Sequence, residues 1–316
     1  MTILPFTCLG VGIFLGVMNK SPKVKVAFEN VSTVALIFLM FSIGAGIGVD
    51  KRIISQFGAI GINCTVMALS AIFFSVIFVV ICEKTVLPLK AVDLRLKKEK
   101  LGILLNESED ESEKKKVSNL VWIMPGSILL GLGAGIVFRE GLLMIHMDDV
   151  FTVALIVLYI CVGFSQGSNK EVFRYVKMIG LRVLWLSAAI LVGSLIGGLV
   201  ASLILDVPTK ISLLASGGMS FYSITGAYMT RSYGLELGTY GFLVNVLREF
   251  FTVLLMPLLT KISLGSPIAG GAAGNMDTML APVTKFIGPH LGLVTLITGT
   301  ILTFIVPFLL PILANL

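Results

Sequence analysis

Eight runs of roughly 17–25 mostly apolar residues, each long enough as a helix to cross about 30 Å of hydrocarbon, constrain this chain more than any other feature. Six come first, at about 2–18, 31–49, 57–82, 120–138, 150–167 and 180–205; two follow near 237–260 and 291–314. In lipid, only helices and closed barrels satisfy every backbone polar group internally. The fold class is therefore an all-α polytopic membrane protein with about eight transmembrane helices. Composition agrees: 56% of residues are hydrophobic, 13% are charged and mean hydropathy is +0.99, whereas ordinary soluble domains carry about 25% charged residues. The opening MTILPFTCLGVGIFLGVMNK lacks a charged start and a small-x-small cleavage site, so it reads as a retained first span. Cys8, Cys64, Cys82 and Cys161 lie in or beside apolar runs with no CxxC or paired His, which suggests neither a disulfide framework nor a metal site. No cofactor motif is present.

Loop charge sets the orientation. With the N-terminus outside, the inside loops of the first six spans hold sixteen Lys and Arg. These are Lys20, Lys23 and Lys25, the nine between Lys84 and Lys116, and Lys170, Arg174, Lys177 and Arg182. The other face holds Lys51, Arg52, Arg139 and Lys210. The positive-inside rule places the N-terminus outside, and parity places the C-terminus outside too. The same rule accounts for the net charge of +6 without a nucleic-acid partner. The run NESEDESEKKK (106–116) reads as solvated and mobile within a charged cytoplasmic linker, 84–119.

A shift of 119 residues aligns TVALIFLMFSIGAGIGVDK (33–51) with TVALIVLYICVGFSQGSNK (152–170). The same register pairs Gly12 with Gly131, Gly16 with Gly135, Gly44 with Gly163, Gly48 with Gly167 and Gly61 with Gly180. Residues 1–83 and 120–205 therefore read as two three-helix repeats. Three is odd, so the second copy is inverted, the recurring plan of secondary transporters. The Gly-x3-Gly pairs also suit close helix packing.

The remainder, 206–316, reads as a transport region of two helices and two interrupted segments, 211–230 and 264–284. The first breaks at Gly217–Gly218 and carries Ser220, Tyr222, Ser223 and Thr225. The second breaks around Gly270–Gly274, including Gly271, and carries Asn275 and Asp277. Unwound backbone is tolerated in a membrane only where it is buried in protein or lines a wet cavity, and paired glycine breaks point to a transporter site. Whether each segment crosses the membrane or turns back is left open by the sequence. Between them, Gly241, Asn245 and Glu249 fall on one helix face at i, i+4 and i+8. Arg248 lies about 100° around from Glu249, and Asn245 can reach either. A carboxylate near mid-membrane costs about 2.5–3.5 kcal/mol on insertion scales, which makes Glu249 a functional candidate. Asp50, at the outer end of the second span, is a further candidate acid.

The stretch Gly163–Gly167 (GFSQG) matches the GxSxG nucleophile elbow, yet that motif needs a strand-turn-helix setting and here ends a membrane helix. An enzyme is not indicated. His146 and His290 have no metal-ligand company.

The stretches ASGGMSFYSITG (215–226), NVLRE (245–249) and AAGNMDTMLAP (272–282) are similar, in order and spacing, to motifs of the bacterial lysine exporter (LysO-type) family. In that family they appear as an SG-x-WYSLSG-like stretch, an N-x-x-RE helix and a GATSMD-x-TLPV-like stretch. The resemblance covers nearly the whole chain. Phe221 stands in place of the tryptophan, Gly274–Asn275 in place of Thr-Ser, and one residue is added near Gly218. The resemblance implies export of L-lysine and analogues such as thialysine across the bacterial cytoplasmic (inner) membrane, with both termini outside and intramembrane acids at Asp50 and Glu249. A lysine-like substrate suits the inventory: its ammonium wants a buried carboxylate and its α-carboxylate wants N–H groups at a half-helix N-terminus. Glu249 or Asp277 would hold either a proton or that ammonium, and proton antiport would remove the cost of moving a cation against an inside-negative potential. The alternatives are a sodium-coupled carrier of a small anionic metabolite, with Asp277 and broken-helix carbonyls holding sodium, and a channel or membrane scaffold. The pattern is compatible with a homo-oligomer.

Overall fold

The computed structural model describes residues 3–19, 21–49, 51–98, 126–138, 147–168 and 179–316. Within these the chain is a multi-pass bundle of helices, with no β-strand among the described residues. The helices are α1 (Ile3–Met18), α2 (Pro22–Val49), α3 (Lys51–Thr85), α4 (Leu89–Lys98), α5 (Gly126–Val137), α6 (Met147–Ser168) and α7 (Val183–Ile204). They continue with α8 (Thr209–Gly217), α9 (Tyr222–Tyr233), α10 (Leu235–Ile262), α11 (Ser266–Gly271), a 3-10 turn (Ala272–Met276), α12 (Leu280–Ile287) and α13 (Gly292–Ala314). Segments of α2, α3, α7, α10 and α13 are each long and apolar enough to cross a bilayer, and α1, α5 and α6 contain shorter apolar helices where the other spans are expected. Large apolar side chains such as Phe14, Phe73, Trp185 and Leu254 point outward, which lipid tolerates and water does not.

The helices pack in two groups. In the first, glycines bring backbones together: Gly12 and Gly16 of α1 lie on α6 around Gly163 and Gly167. Gly44 and Gly48 of α2 lie in the same way on α5 around Gly131 and Gly135. A Cβ at any of these eight positions would strike the partner helix's backbone, so helix approach is what these glycines provide. The two contacts interchange under the 119-residue shift. In the second group α3 packs antiparallel to α7, with Gly193 against Ser75 and Gly197 against Ala71. Ser75 and Ser194 are counterparts under the same shift, and their hydroxyls meet at 3.1 Å. α10, α13 and the interrupted segments pack on α3 and α7.

Both interrupted segments turn back. Asn63 near the start of α3 donates to Tyr240 near the start of α10 (3.2 Å), and Gly265 after α10 donates its N–H to Glu83 near the end of α3 (3.2 Å). α10 thus runs parallel to α3. Because α7 is antiparallel to α3, residues 205–234 begin and end on the face where α3 starts; α8 and α9 form a re-entrant hairpin. α13 meets the tip of the second segment at Gly299 and the first hairpin's Gly217 at Leu309 and Leu313, so it runs back from the face where α3 ends. α11 and α12 are therefore a second hairpin, inserted from the opposite face. The tips meet inside the protein, where the Ala273 N–H donates to the Met219 carbonyl at 2.9 Å.

The hairpins share a backbone signature not foreseen from the sequence. Gly217–Gly218 precede Met219 at φ 48°, and Gly270–Gly271 precede Ala272 at φ 48°, a spacing of 53 residues. Gly234 (φ 88°) ends the first hairpin and Gly288 (φ 97°) the second, each leading into a long helix. The charged linker is described only in its first part. Residues 89–98 form α4, seated by buried Leu89 and Leu96 beside the second hairpin, whereas 106–116 lie outside the described residues.

Candidate functional site

Three non-glycine residues in the tips, Met219, Ser220 (φ 73°) and Ala272, hold left-handed backbone that costs about 1–3 kcal/mol each and needs firm support. Asn245 supports the first tip. Its Oδ1 accepts the Ser220 N–H at 2.7 Å, and its Nδ2 donates to the carbonyls of Ala215 (2.9 Å) and Gly241 (2.7 Å). Thr225 packs beside it against Gly218, where a Cβ would collide with both side chains. Asn275 supports the second tip by donating to Ile268 O at 2.7 Å, and Thr303 of α13 donates to Ala273 O at 3.2 Å. Arg248, 1% exposed, donates to Ala269 O (3.0 Å) and Gly270 O (3.2 Å), and to Ser194 Oγ (2.8 Å) and Ser75 Oγ (3.1 Å).

These contacts sort the residues of α10. Asn245 reaches neither Arg248 nor Glu249; it is occupied by the first hairpin, and that expectation is corrected. Arg248 turns toward α3 and α7 and is satisfied by hydroxyls and carbonyls. Glu249 turns the other way. Its Oε1 accepts the Thr278 hydroxyl at 3.0 Å and lies against Gly274, where a Cβ would collide with it. Neither Arg248 nor Glu249 is in an ion pair among the described residues.

Glu249 faces a cavity of about 230 Å³ between the hairpin tips and the wall formed by α2 and α6. From the hairpins it is lined by Ser220, Tyr222, Ser223, Gly274, Asp277 and Thr278. From the wall come Ser32, Thr33, Ser165 and Gln166, with Phe28 of α2 stacked on Phe164 of α6 (centroids 3.9 Å apart). Exposed Lys25 and Glu29 also line it, so the cavity reaches the end of the bundle where α2 begins. Of the residues singled out from the sequence, Glu249, Asp277, Ser220, Tyr222, Ser223 and Gly274 line the cavity. Asn245, Asn275, Thr225, Arg248, Gly217, Gly218 and Gly271 stand behind it, supporting the tips, and Asp50 lies outside the described residues. Sequence reasoning missed Ser32, Thr33, Ser165, Gln166, Thr278 and Thr303. Ser165 and Gln166 belong to the GFSQG stretch, which sits within α6 and not on a strand-to-helix turn.

A family model described as "Lysine exporter LysO" matches residues 6–92 and 126–314, omitting only 93–125 and the extreme ends. The chain belongs to the LysO family. It is 27% identical over 186 residues to "Lysine exporter LysO" of Escherichia coli (strain K12), covering 58% of this chain and 61% of that protein. It is 23% identical over 184 residues to a "Putative lysine exporter" of Haemophilus influenzae, covering 58% of this chain and 93% of that protein. The match thus spans about three fifths of the Escherichia coli LysO protein. No solved structure matches the chain.

Proposed function

We propose that this protein is a secondary active exporter of L-lysine or a related cationic amino acid, thialysine included, working by proton antiport. The observation that carries the reading is Glu249: a carboxylate without a cationic partner, sharing with Asp277 a polar cavity between two re-entrant tips. A structural carboxylate at such depth needs a fixed cation, whereas a transporting one needs its partner to come and go. The names of the LysO relatives agree with a lysine substrate.

Positive loops assign the face where α2 begins to the cytoplasm, so the cavity opens inward, the loading state for an exporter. Both termini are then outside, in the cytoplasmic membrane of a bacterium. The 119-residue shift and the interchanging contacts support an inverted repeat, and the cavity lies on the seam between the two packed groups. Sliding of the hairpin-bearing group against α1, α2, α5 and α6 would carry the site from one face to the other. Lysine leaves as a monovalent cation against about 2.3 kcal/mol per 100 mV, and one proton entering in exchange cancels that charge.

In proteoliposomes oriented with the cytoplasmic face outward, an outward proton gradient (acid inside) should drive labelled lysine uptake, and a protonophore should abolish it. A sodium gradient driving the same uptake, with pH without effect, would overturn proton coupling.

A further inference from the structure

The N-terminus of α9 opens into the cavity without a cap. Phe221 supplies no side-chain hydrogen bond there, and the first bond into the helix is Thr225 N–H to Phe221 O at 3.1 Å. The N–H groups of Tyr222, Ser223 and Ile224 are therefore unpaired, at the positive end of a twelve-residue helix. A second, independent feature sits beside them. Ser220 is 3% exposed, lines the cavity, and its hydroxyl has no hydrogen-bond partner. Its own N–H is fixed by Asn245, so the residue is held in place while its hydroxyl is left over. Buried polar atoms are seldom left without partners, and a free hydroxyl beside free N–H groups is the donor set of an anion site.

We propose that the α9 N-terminus, with the Ser220 hydroxyl, is the site for the substrate's α-carboxylate. This rests on the exporter reading and deepens it. The distal ammonium then lies toward Glu249 and Asp277, across the same cavity. A third orphan fits the remaining group. Gln166 donates through Nε2 to Thr303 O at 3.2 Å, which fixes the amide orientation and leaves Oε1 as a buried, unpartnered acceptor lining the cavity. It suits the α-ammonium. The site therefore selects an α-amino acid over a diamine of equal length: cadaverine carries two ammonium groups and nothing for the α9 N-terminus.

The test is competition against labelled lysine counterflow in proteoliposomes, using unlabelled lysine and cadaverine. For the wild type, lysine should compete at least tenfold better than cadaverine. Ser220→Gly removes the hydroxyl, and glycine suits the φ of 73°, so the fold is retained. Loss of one hydrogen bond to a charged group should weaken lysine competition roughly tenfold or more and leave cadaverine unchanged. Ser220→Asp, which places a carboxylate of its own there, should lose labelled lysine counterflow and instead show counterflow of labelled cadaverine. Equal competition by lysine and cadaverine in the wild type, or equal weakening of both in Ser220→Gly, would overturn the assignment while leaving lysine transport standing. Absence of lysine counterflow in the wild type would overturn both.

Discussion

Glu249→Gln abolishes lysine export while the protein folds and inserts normally. Glutamine keeps the volume of the side chain and can still accept the Thr278 hydroxyl that Glu249 Oε1 holds at 3.0 Å. No cation pairs with Glu249 among the described residues, so the substitution strands no buried charge. Stability should change by about 1 kcal/mol or less, the scale of one exchanged hydrogen bond. Function has no such substitute. The variant can neither take up a proton nor attract an ammonium, and truncating one side of a buried charge contact costs about 2–5 kcal/mol, roughly 30-fold or more in affinity. Two measurements decide it: melting temperature in detergent and lysine efflux from loaded cells. A stable variant with normal efflux contradicts the role assigned to Glu249. A variant that fails to fold returns Glu249 to a structural one.

Arg248→Leu should have the opposite profile, a protein that melts far lower or does not accumulate. The guanidinium joins α3, α7, α10 and α11 at one fully buried point. Ser75 and Ser194 keep other partners after its loss, since both hydroxyls also donate to Ile190 O. The carbonyls of Ala269 and Gly270 are left open, at about 1–3 kcal/mol each, in the tip whose backbone at Ala272 is already strained. Arg248→Lys should fall between, because a single ammonium lacks the planar fork that reaches carbonyls and hydroxyls together. An unchanged melting temperature in Arg248→Leu would show that the hairpin tip does not depend on this contact.

The five helices long and apolar enough to cross a bilayer were legible because length and hydropathy alone mark them. The direction of the interrupted segments was not, since a hairpin and a broken crossing helix leave the C-terminus on the same side. That choice was settled by two contacts remote in sequence, Asn63 with Tyr240 and Glu83 with Gly265. The likeness of the two hairpins was hidden for a related reason: at this spacing little besides the Gly-Gly pairs and Thr225 with Thr278 matches by residue type, and the shared left-handed turn falls on Met219 in one and Ala272 in the other. Glu249, Asp277 and Ser220 stood out as polar groups among apolar neighbours. Ser32, Thr33, Ser165 and Thr303 did not, because hydroxyls in membrane helices often satisfy themselves on their own backbone, as Thr295 and Thr298 do here. Arg248 was visible as an anomaly, but its partners are hydroxyls and carbonyls contributed by three other helices.

The central claim, that this cavity carries lysine across the membrane, is tested most directly by counterflow. Purified protein in proteoliposomes loaded with excess unlabelled lysine should transiently accumulate external labelled lysine, with no ion gradient imposed. Accumulation that is absent for Glu249→Gln is the expected result. A passive leak without overshoot, or no lysine movement at all, would contradict the account.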